Sequence, residues 1–255
     1  MTLIINPIRE IPLIKPDDNL SQILLDGLKA SSIDLQEGDI LVVTQKIVSK
    51  AEDRLVYLKN VKVSQKAVRI AKKIQKDPRL VELILRESAS IIRTKPGTII
   101  VEHKLGFVCA NAGIDHSNVS GLYGEEEDWV LLLPENPDKS AKKIRDDIFT
   151  MTGKKIGVII VDSHGRAWRL GTVGVAIGLS GVPGLVDFRG KKDIFGYTLK
   201  ATQIAAADEL AAVSTLVMGE ADERCPAVHV RGFPYPLRES SLSELIRPKD
   251  LDLFR

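Results

Sequence analysis

The chain has 255 residues, enough for one large domain or two small ones. Its formal net charge of +2, with acids and bases interspersed, argues against a nucleic-acid binder, and its 5% aromatic content argues against a base-stacking surface. No apolar run is long enough to cross a bilayer, the first residues lack the marks of a signal peptide, and two cysteines without metal-ligand spacing fit a reduced, cytoplasmic setting.

A short strand is expected at Leu3–Ile5, followed by Ile11-Pro12-Leu13-Ile14-Lys15. Leu20, Ile23, Leu24 and Leu28 recur at helical spacing, with Asp18 or Asn19 as the cap. Gly38-Asp39 turns the chain into a strand, Ile40–Thr44, and Gln45–Glu52 reads as a polar strand exit. Ser64–Lys76 reads as a basic amphipathic helix, and Asp77-Pro78 starts another that runs through Glu87. Thr98–Glu102 and Phe107–Ala110 suggest a hairpin, and Ser120–Asp128 an acidic loop before a strand at Val130–Leu133. Pro137–Met151 reads as a helix ended by Gly153. The apolar run Gly157–Val161 is a buried strand that stops at Asp162, and a glycine-rich stretch follows it. Thr198–Met218 is the longest helix candidate, so apolar that its own core or a second subunit must cover it. Ala227–Val230 is the last strand and Ser241–Ile246 a short helix. Strands and helices mix without strict alternation, which favours an α+β fold with mixed sheets over a doubly wound one. A single domain over residues 1–255 is expected, with room for two structural subdomains.

Two acidic motifs carry the chemistry. Asp115 and Asp162 each stand at the end of a structured run, where a carboxylate meets incoming ligands. Each alone is explained by turn or cap formation. Together, with Asn118 and Ser163 as neutral oxygen donors, they suit a hard cation shared with phosphate. Glu220, after Met218-Gly219, is a third acid, although a solvated glutamate at a helix end accounts for it as well. Asp208 and Glu209 lie within the apolar helix and call for a polar partner on a neighbouring helix. Lys46 and Lys50 follow a buried strand, either solvated or contacting phosphate. Arg166 and Arg169 on the glycine-rich loop could fork onto an anionic substrate. His116 and His164 adjoin the two aspartates and leave a transition-metal site open. Neither Cys109 nor Cys225 has a visible base. No Gly-rich phosphate loop of the familiar nucleotide folds is present.

Five segments in order become recognisable: Ile11–Ile14, Val48–Glu52, Asn111–Asn118, Gly157–Arg166 and Met218–Glu220. Together they resemble the coenzyme F420-0:L-glutamate ligase (gamma-glutamyl ligase) family, over almost the whole chain. The resemblance implies a family-specific α+β ligase fold and an intertwined homodimer. It implies GTP as co-substrate, two Mg²⁺ or Mn²⁺ ions and K⁺, with L-glutamate and F420-0 as the joined substrates. By position, Asp115 and Asp162 would hold one ion and Ser163 and Glu220 the other. Ile11, Pro12, Leu13, Ile14, Gln45, Lys46, Lys50, Asn118, Met218, Gly219, Glu220, Ala221 and Asp222 would contact GTP. Two stretches depart from the family pattern: the acidic Ser120–Trp129 loop is longer, and Ala221–Cys225 is less glycine-rich. A non-catalytic GTP- or metal-binding regulator and a metal-dependent phosphate hydrolase are the alternatives on the same scaffold.

Overall fold

Two apolar runs, Ile40–Thr44 and Gly157–Gly165, pair side by side in the middle of the molecule. The computed structural model describes residues 2–119, 121 and 124–253. The first half of the chain forms β1 (Ile4–Pro7), α1 (Leu20–Ala30), β2 (Ile40–Thr44), α2 (Gln45–Ala51), β3 (Leu55–Tyr57), α3 (Gln65–Ile74), α4 (Pro78–Arg86), β4 (Ser88–Lys95), β5 (Thr98–His103) and β6 (Val108–Ala110). The second half forms β7 (Trp129–Leu131), α5 (Pro137–Thr152), β8 (Gly157–Gly165), β9 (Thr172–Ser180), β10 (Val186–Asp187), β11 (Gln203–Ile204), α6 (Ala206–Met218) and β12 (Ala227–Arg231). This is the mixed α+β architecture expected from the sequence.

Five strands make the main sheet in the order β1-β12-β2-β8-β9, with β2 and β8 parallel and the other pairs antiparallel. Side chains alternate across a strand. Leu41, Val43, Val158 and Ile160 therefore enter one core with α1, α2 and α5. Ile40, Val42, Ile159 and Val161 enter the opposite core, which α6 covers. A separate core forms where α3 and α4 supply Ala67, Ala71, Ile74, Val81 and Ile84 against Ile99 and Val101 of the β4-β5-β6 sheet. Phe107, in the turn between β5 and β6, packs against this core and against the α1-α2-α5 core.

Local signals set the helix ends. Asn19, Ser64, Asp77 and Asn136 each cap a helix by accepting a backbone N–H, and Pro78 and Pro137 occupy first turns. Gly153 ends α5 in the left-handed region.

Several expectations need correction. Gln45–Ala51 is a helix rather than a strand exit, and at seven residues it is too short to show a period. The glycine-rich stretch holds a nine-residue strand, β9. A Cβ on Gly174 would come within 2.7 Å of Ala211 O on α6, and one on Gly178 within 2.5 Å of Pro137 on α5. These glycines let the two helices approach opposite faces of the strand. Gly174 and Gly178 are four residues apart yet face opposite ways, because a register shift lies between Ile160↔Gly178 and Val161↔Ala176. The last long helix begins at Ala206, not Thr198. Residues 198–203 find nothing to bury against and bend into the small β10-β11 pair. That leaves α5, at 16 residues, the longest helix among the described residues. Asp208 does not meet a neighbouring helix: its Oδ1 accepts the Ala176 N–H of β9 at 2.9 Å, and burial pushes its carboxyl above the usual value. Glu209 is simply exposed. The strand expected at Val130–Leu133 covers Trp129–Leu131, and Ser241–Ile246 contains only a 3-10 turn, Leu242–Glu244. Within the expected acidic loop, Ser120, Leu122 and Tyr123 lie outside the described residues, and the loop closes on a 3-10 turn at Glu126–Asp128.

Candidate functional site

β2 and β8 run parallel and β2 ends at Thr44, opposite Val161, but β8 does not stop at Asp162 as expected: it stays paired with β9 as far as Gly165. β2 continues straight into α2, so Gln45 and Lys46 emerge at the edge where Asp162 follows Val161. Asp115 arrives from the other core. Its N–H donates to Leu131 O at 3.0 Å and its carbonyl accepts from Leu131 N at 2.9 Å, which pins it beside β7. Gln45 Nε2 donates to Asp115 Oδ2 at 2.6 Å, and the Lys46 ammonium pairs with the same oxygen. Burial raises the Asp115 carboxyl above its usual range. Lys46 pulls it back, and the charge of Asp162 pushes it up again. The Asp115 carboxylate thus sits half-buried within reach of the charge of Asp162, and the Lys46 ammonium offsets that repulsion.

The run Asn111-Ala112-Gly113 aims Asp115. All three residues are left-handed, at φ 52°, 55° and 64°. Only glycine adopts this region without cost, so the alanine and asparagine hold strain. Ala112 is fully buried, the Asn111 amide oxygen accepts Ile99 N–H at 3.2 Å, and a Cβ on Gly113 would meet Leu133 at 2.7 Å. The Asn-Ala-Gly spacing is therefore a backbone requirement as well as a sequence motif.

Ser163 is the next residue after Asp162, so its side chain leaves the opposite face of β8. There its Oγ donates to Glu220 Oε1 at 2.6 Å. Glu220 follows Gly219, which ends α6 at φ 77°. Two successive residues of β8, beyond the end of β2, therefore supply oxygen on opposite faces. His164 shares the Asp162 face, and its Nε2 donates to Asp162 Oδ2 at 2.9 Å. The sequence reading missed this contact, although i, i+2 spacing on a strand carried the signal.

Lys50 Nζ donates to Asn118 O at 2.7 Å, and Asn118 Nδ2 donates to Ala221 O at 3.1 Å. Burial and then the neighbouring Lys46 lower the Lys50 pKa. These contacts tie α2, the segment after Asp115 and the turn after Glu220 together. Other expected residues lie less centrally. Ile11–Ile14 is irregular, with Ile14 buried and Leu13 86% exposed. Met218 buries its side chain against the sheet, whereas Ala221 and Asp222 are exposed. Arg166 and Arg169 are exposed between β8 and β9, Arg166 lying four residues, roughly 13 Å, beyond Asp162 along the strand direction. Arg166 donates to Gly171 O at 3.2 Å. His116 is exposed.

All four expected ligands offer oxygen, which suits Mg²⁺ or Mn²⁺ rather than a softer ion. Among the described residues no three His, Cys, Asp or Glu side chains converge as a ready-made metal cage. A cation here would therefore complete its shell with water and substrate oxygens. Covalent catalysis by cysteine has no support: burial, with the charge of Asp162, pushes the Cys109 thiol up to about 12, and burial raises Cys225 as well.

Comparison with known proteins agrees with the motifs. The family model of the F420-0:gamma-glutamyl ligase matches residues 9–232. A coenzyme F420:L-glutamate ligase of Methanococcus maripaludis is 46% identical over 246 residues, covering 96% of this chain and 95% of the relative. The protein of that name from Methanothermobacter thermautotrophicus is 44% identical, with 96% of each chain covered. That of Archaeoglobus fulgidus is 41% identical over 98% of this chain and 95% of its own length. With a match over most of its length and relatives aligned nearly end to end, this chain belongs to the F420-0:gamma-glutamyl ligase family.

Proposed function

We propose that this chain is a GTP-dependent ligase that joins L-glutamate to the carboxylate of coenzyme F420-0, forming F420-1 and, on a second round, gamma-linked F420-2. The observation that carries the reading is the pairing of Asp115 and Asp162 beside Lys46 and Gln45, with Ser163 and Glu220 behind them. Such a site handles phosphate and carboxylate charge and lacks a nucleophile of its own. In the proposed reaction the F420-0 carboxylate attacks the γ-phosphorus of GTP, the bond to GDP breaks, and an acyl phosphate forms. The glutamate amine then attacks the acyl carbon, inorganic phosphate leaves, and the nitrogen gives up a proton. Asp115 and Asp162 would hold one divalent ion and Ser163 and Glu220 a second, with K⁺ assisting. When bound, the ions supply charge neutralisation between the triphosphate and the attacking carboxylate.

The chain's own residues orient the reactants. Lys50 and Asn118 already lie against the Ala221 turn, so a triphosphate bound between α2 and Glu220 would meet an ammonium and an amide there. Ile11–Ile14, Gln45, Lys46 and residues 218–222 complete the proposed GTP surround. Arg166 and Arg169 are the candidates for the phosphate-bearing acceptor, reached from the exposed β8-β9 turn. We take the working form to be an intertwined homodimer in a reduced cytoplasmic setting.

Mass spectrometry of F420-0 after incubation with GTP, Mn²⁺ and L-glutamate tests the reading. The expected result is an acceptor heavier by one or more glutamyl units and GDP formed in step with it. GTP loss without glutamate would favour the hydrolase reading. GTP binding with no turnover under any condition would favour the regulator.

A further inference from the structure

The two carboxylates of the site differ in how they are held. Asp115 is held by Gln45 and Lys46. Asp162 has His164, two residues along the same strand face, with side chains of both residues only 12% exposed. The imidazole is itself braced. Phe107 lies against it with ring centroids 5.2 Å apart, and His103 stacks on Phe107 at 5.2 Å with an interplanar angle of 9°. His103 is buried at the end of β5, and its backbone N–H donates to Phe107 O at 2.8 Å, which closes the turn that presents Phe107. A column of rings thus runs from His103 through Phe107 to His164 at the site.

We propose that His164 is a positioning residue: braced by Phe107 and His103, it fixes Oδ2 of Asp162 by a hydrogen bond and leaves Oδ1 directed to a divalent cation. The inference rests on the proposed cation site and assigns His164 a role outside the ligand set. The chemistry is general. A carboxylate that donates one oxygen to a cation binds better when its other oxygen is already oriented, because less rotational freedom is lost on binding. A direct histidine ligand would instead aim a ring nitrogen at the ion. Here Nε2 is committed to Asp162.

Mn²⁺ titration of the nucleotide-free protein, followed by the electron paramagnetic resonance of free Mn²⁺, tests this on the parent, His164→Ala, His164→Gln and Asp162→Asn, each with a melting curve. Glutamine places an N–H close to where Nε2 stands. His164→Ala is expected to weaken Mn²⁺ binding by about 10- to 100-fold. His164→Gln is expected to recover most of that loss at a parental melting temperature. The apparent Mn²⁺ requirement of turnover should follow the same order. Should His164→Gln bind as poorly as His164→Ala, direct ligation replaces positioning. Parental binding by His164→Ala alongside loss in Asp162→Asn would overturn the positioning role while leaving the cation site standing. Parental binding by Asp162→Asn would remove the cation reading and this inference with it.

Discussion

Asp115 and Lys50 have different kinds of work at the level of single residues. Replacing Asp115 or Asp162 by asparagine keeps shape and hydrogen-bonding capacity but removes a charge. In the free protein the Asp115 charge is partly a burden, since burial and the charge of Asp162 both oppose it. Turnover should therefore fall by on the order of a hundredfold or more, with little change in melting temperature. Near-normal ligase activity in either variant at low Mn²⁺ would end the shared-cation assignment. Lys50 looks in sequence like an exposed charge. In the fold it is half-buried and spends its ammonium on Asn118 O. Lys50→Ala should raise the GTP requirement by about ten- to a hundredfold, the worth of a charge-assisted hydrogen bond of roughly 1.5–3 kcal/mol. The glutamate requirement should stay near parental. Stability should change little, because relief from burying a charge offsets the lost bond. A steady-state GTP titration matching the parent would return Lys50 to a purely structural role.

Among the elements, the end of the main sheet where β2 begins is locked by one buried aspartate. Asp39, at the entry to β2, accepts from Gln36 N at 2.7 Å and from both Nε and one terminal nitrogen of Arg231 on β12, at 2.9 and 2.7 Å. His229 Nε2 lies 2.8 Å away on the same strand, and its Nδ1 meets Asn6 of β1 at 3.2 Å. Burial raises the Asp39 carboxyl, but the Arg231 bonds, the nearby His229 and the Gln36 N–H outweigh it and leave its pKa below the ordinary value. A carboxyl whose folded pKa is depressed adds stability above its unfolded pKa and loses it as pH falls through the folded one. Asp39→Asn should thus cost about 3 kcal/mol near neutrality, and the gap to the parent should narrow as pH drops below the usual carboxylate range. Urea unfolding at neutral and acid pH measures both. The same sheet shows what sequence could and could not reveal. β2 and the start of β8 were legible because each is an uninterrupted apolar run, and α4 and α5 because Asp77-Pro78 and Gly153 mark their ends. β9 was hidden because glycines replace the side chains whose alternation would have announced it. Asp115 and Asp162 were legible as motif residues. The grip of Gln45 and His164 on them was not, since it depends on α2 being helical and on which face of β8 each side chain takes.

The molecule as a whole carries apolar surface that its own cores do not use. Trp168 and Leu170 in the β8-β9 turn are 81% and 98% exposed, Ile194 and Phe195 between β10 and β11 are 91% and 88%, and Leu216 at the end of α6 is 84%. The sequence placed this surplus on the long helix. The fold buries one face of that helix against the main sheet and leaves Leu216 and the projecting turns exposed. The proposed homodimer would cover surface of this kind. Light scattering at micromolar concentration should therefore report twice the mass of the chain. A Trp168→Ser, Phe195→Ser double variant should shift the mass toward the single chain, and an unshifted monomer in the parent would dispose of the dimer.

Cys109 gives the junction between the α1-α2-α5 core and the α3-α4 core a clock. It sits on β6 in the α3-α4 core, 5% exposed, with a thiol too basic to ionise near neutrality. Cys225 is half-buried and outside that core. A thiol reagent should therefore modify Cys225 early and Cys109 only during transient openings of the β4-β5-β6 module. The ratio of the Cys109 rate in the native protein to its rate in the unfolded chain then reads the free energy of that opening. If Phe107 holds the two cores together, Phe107→Ala should quicken Cys109 modification while leaving Cys225 on its original schedule.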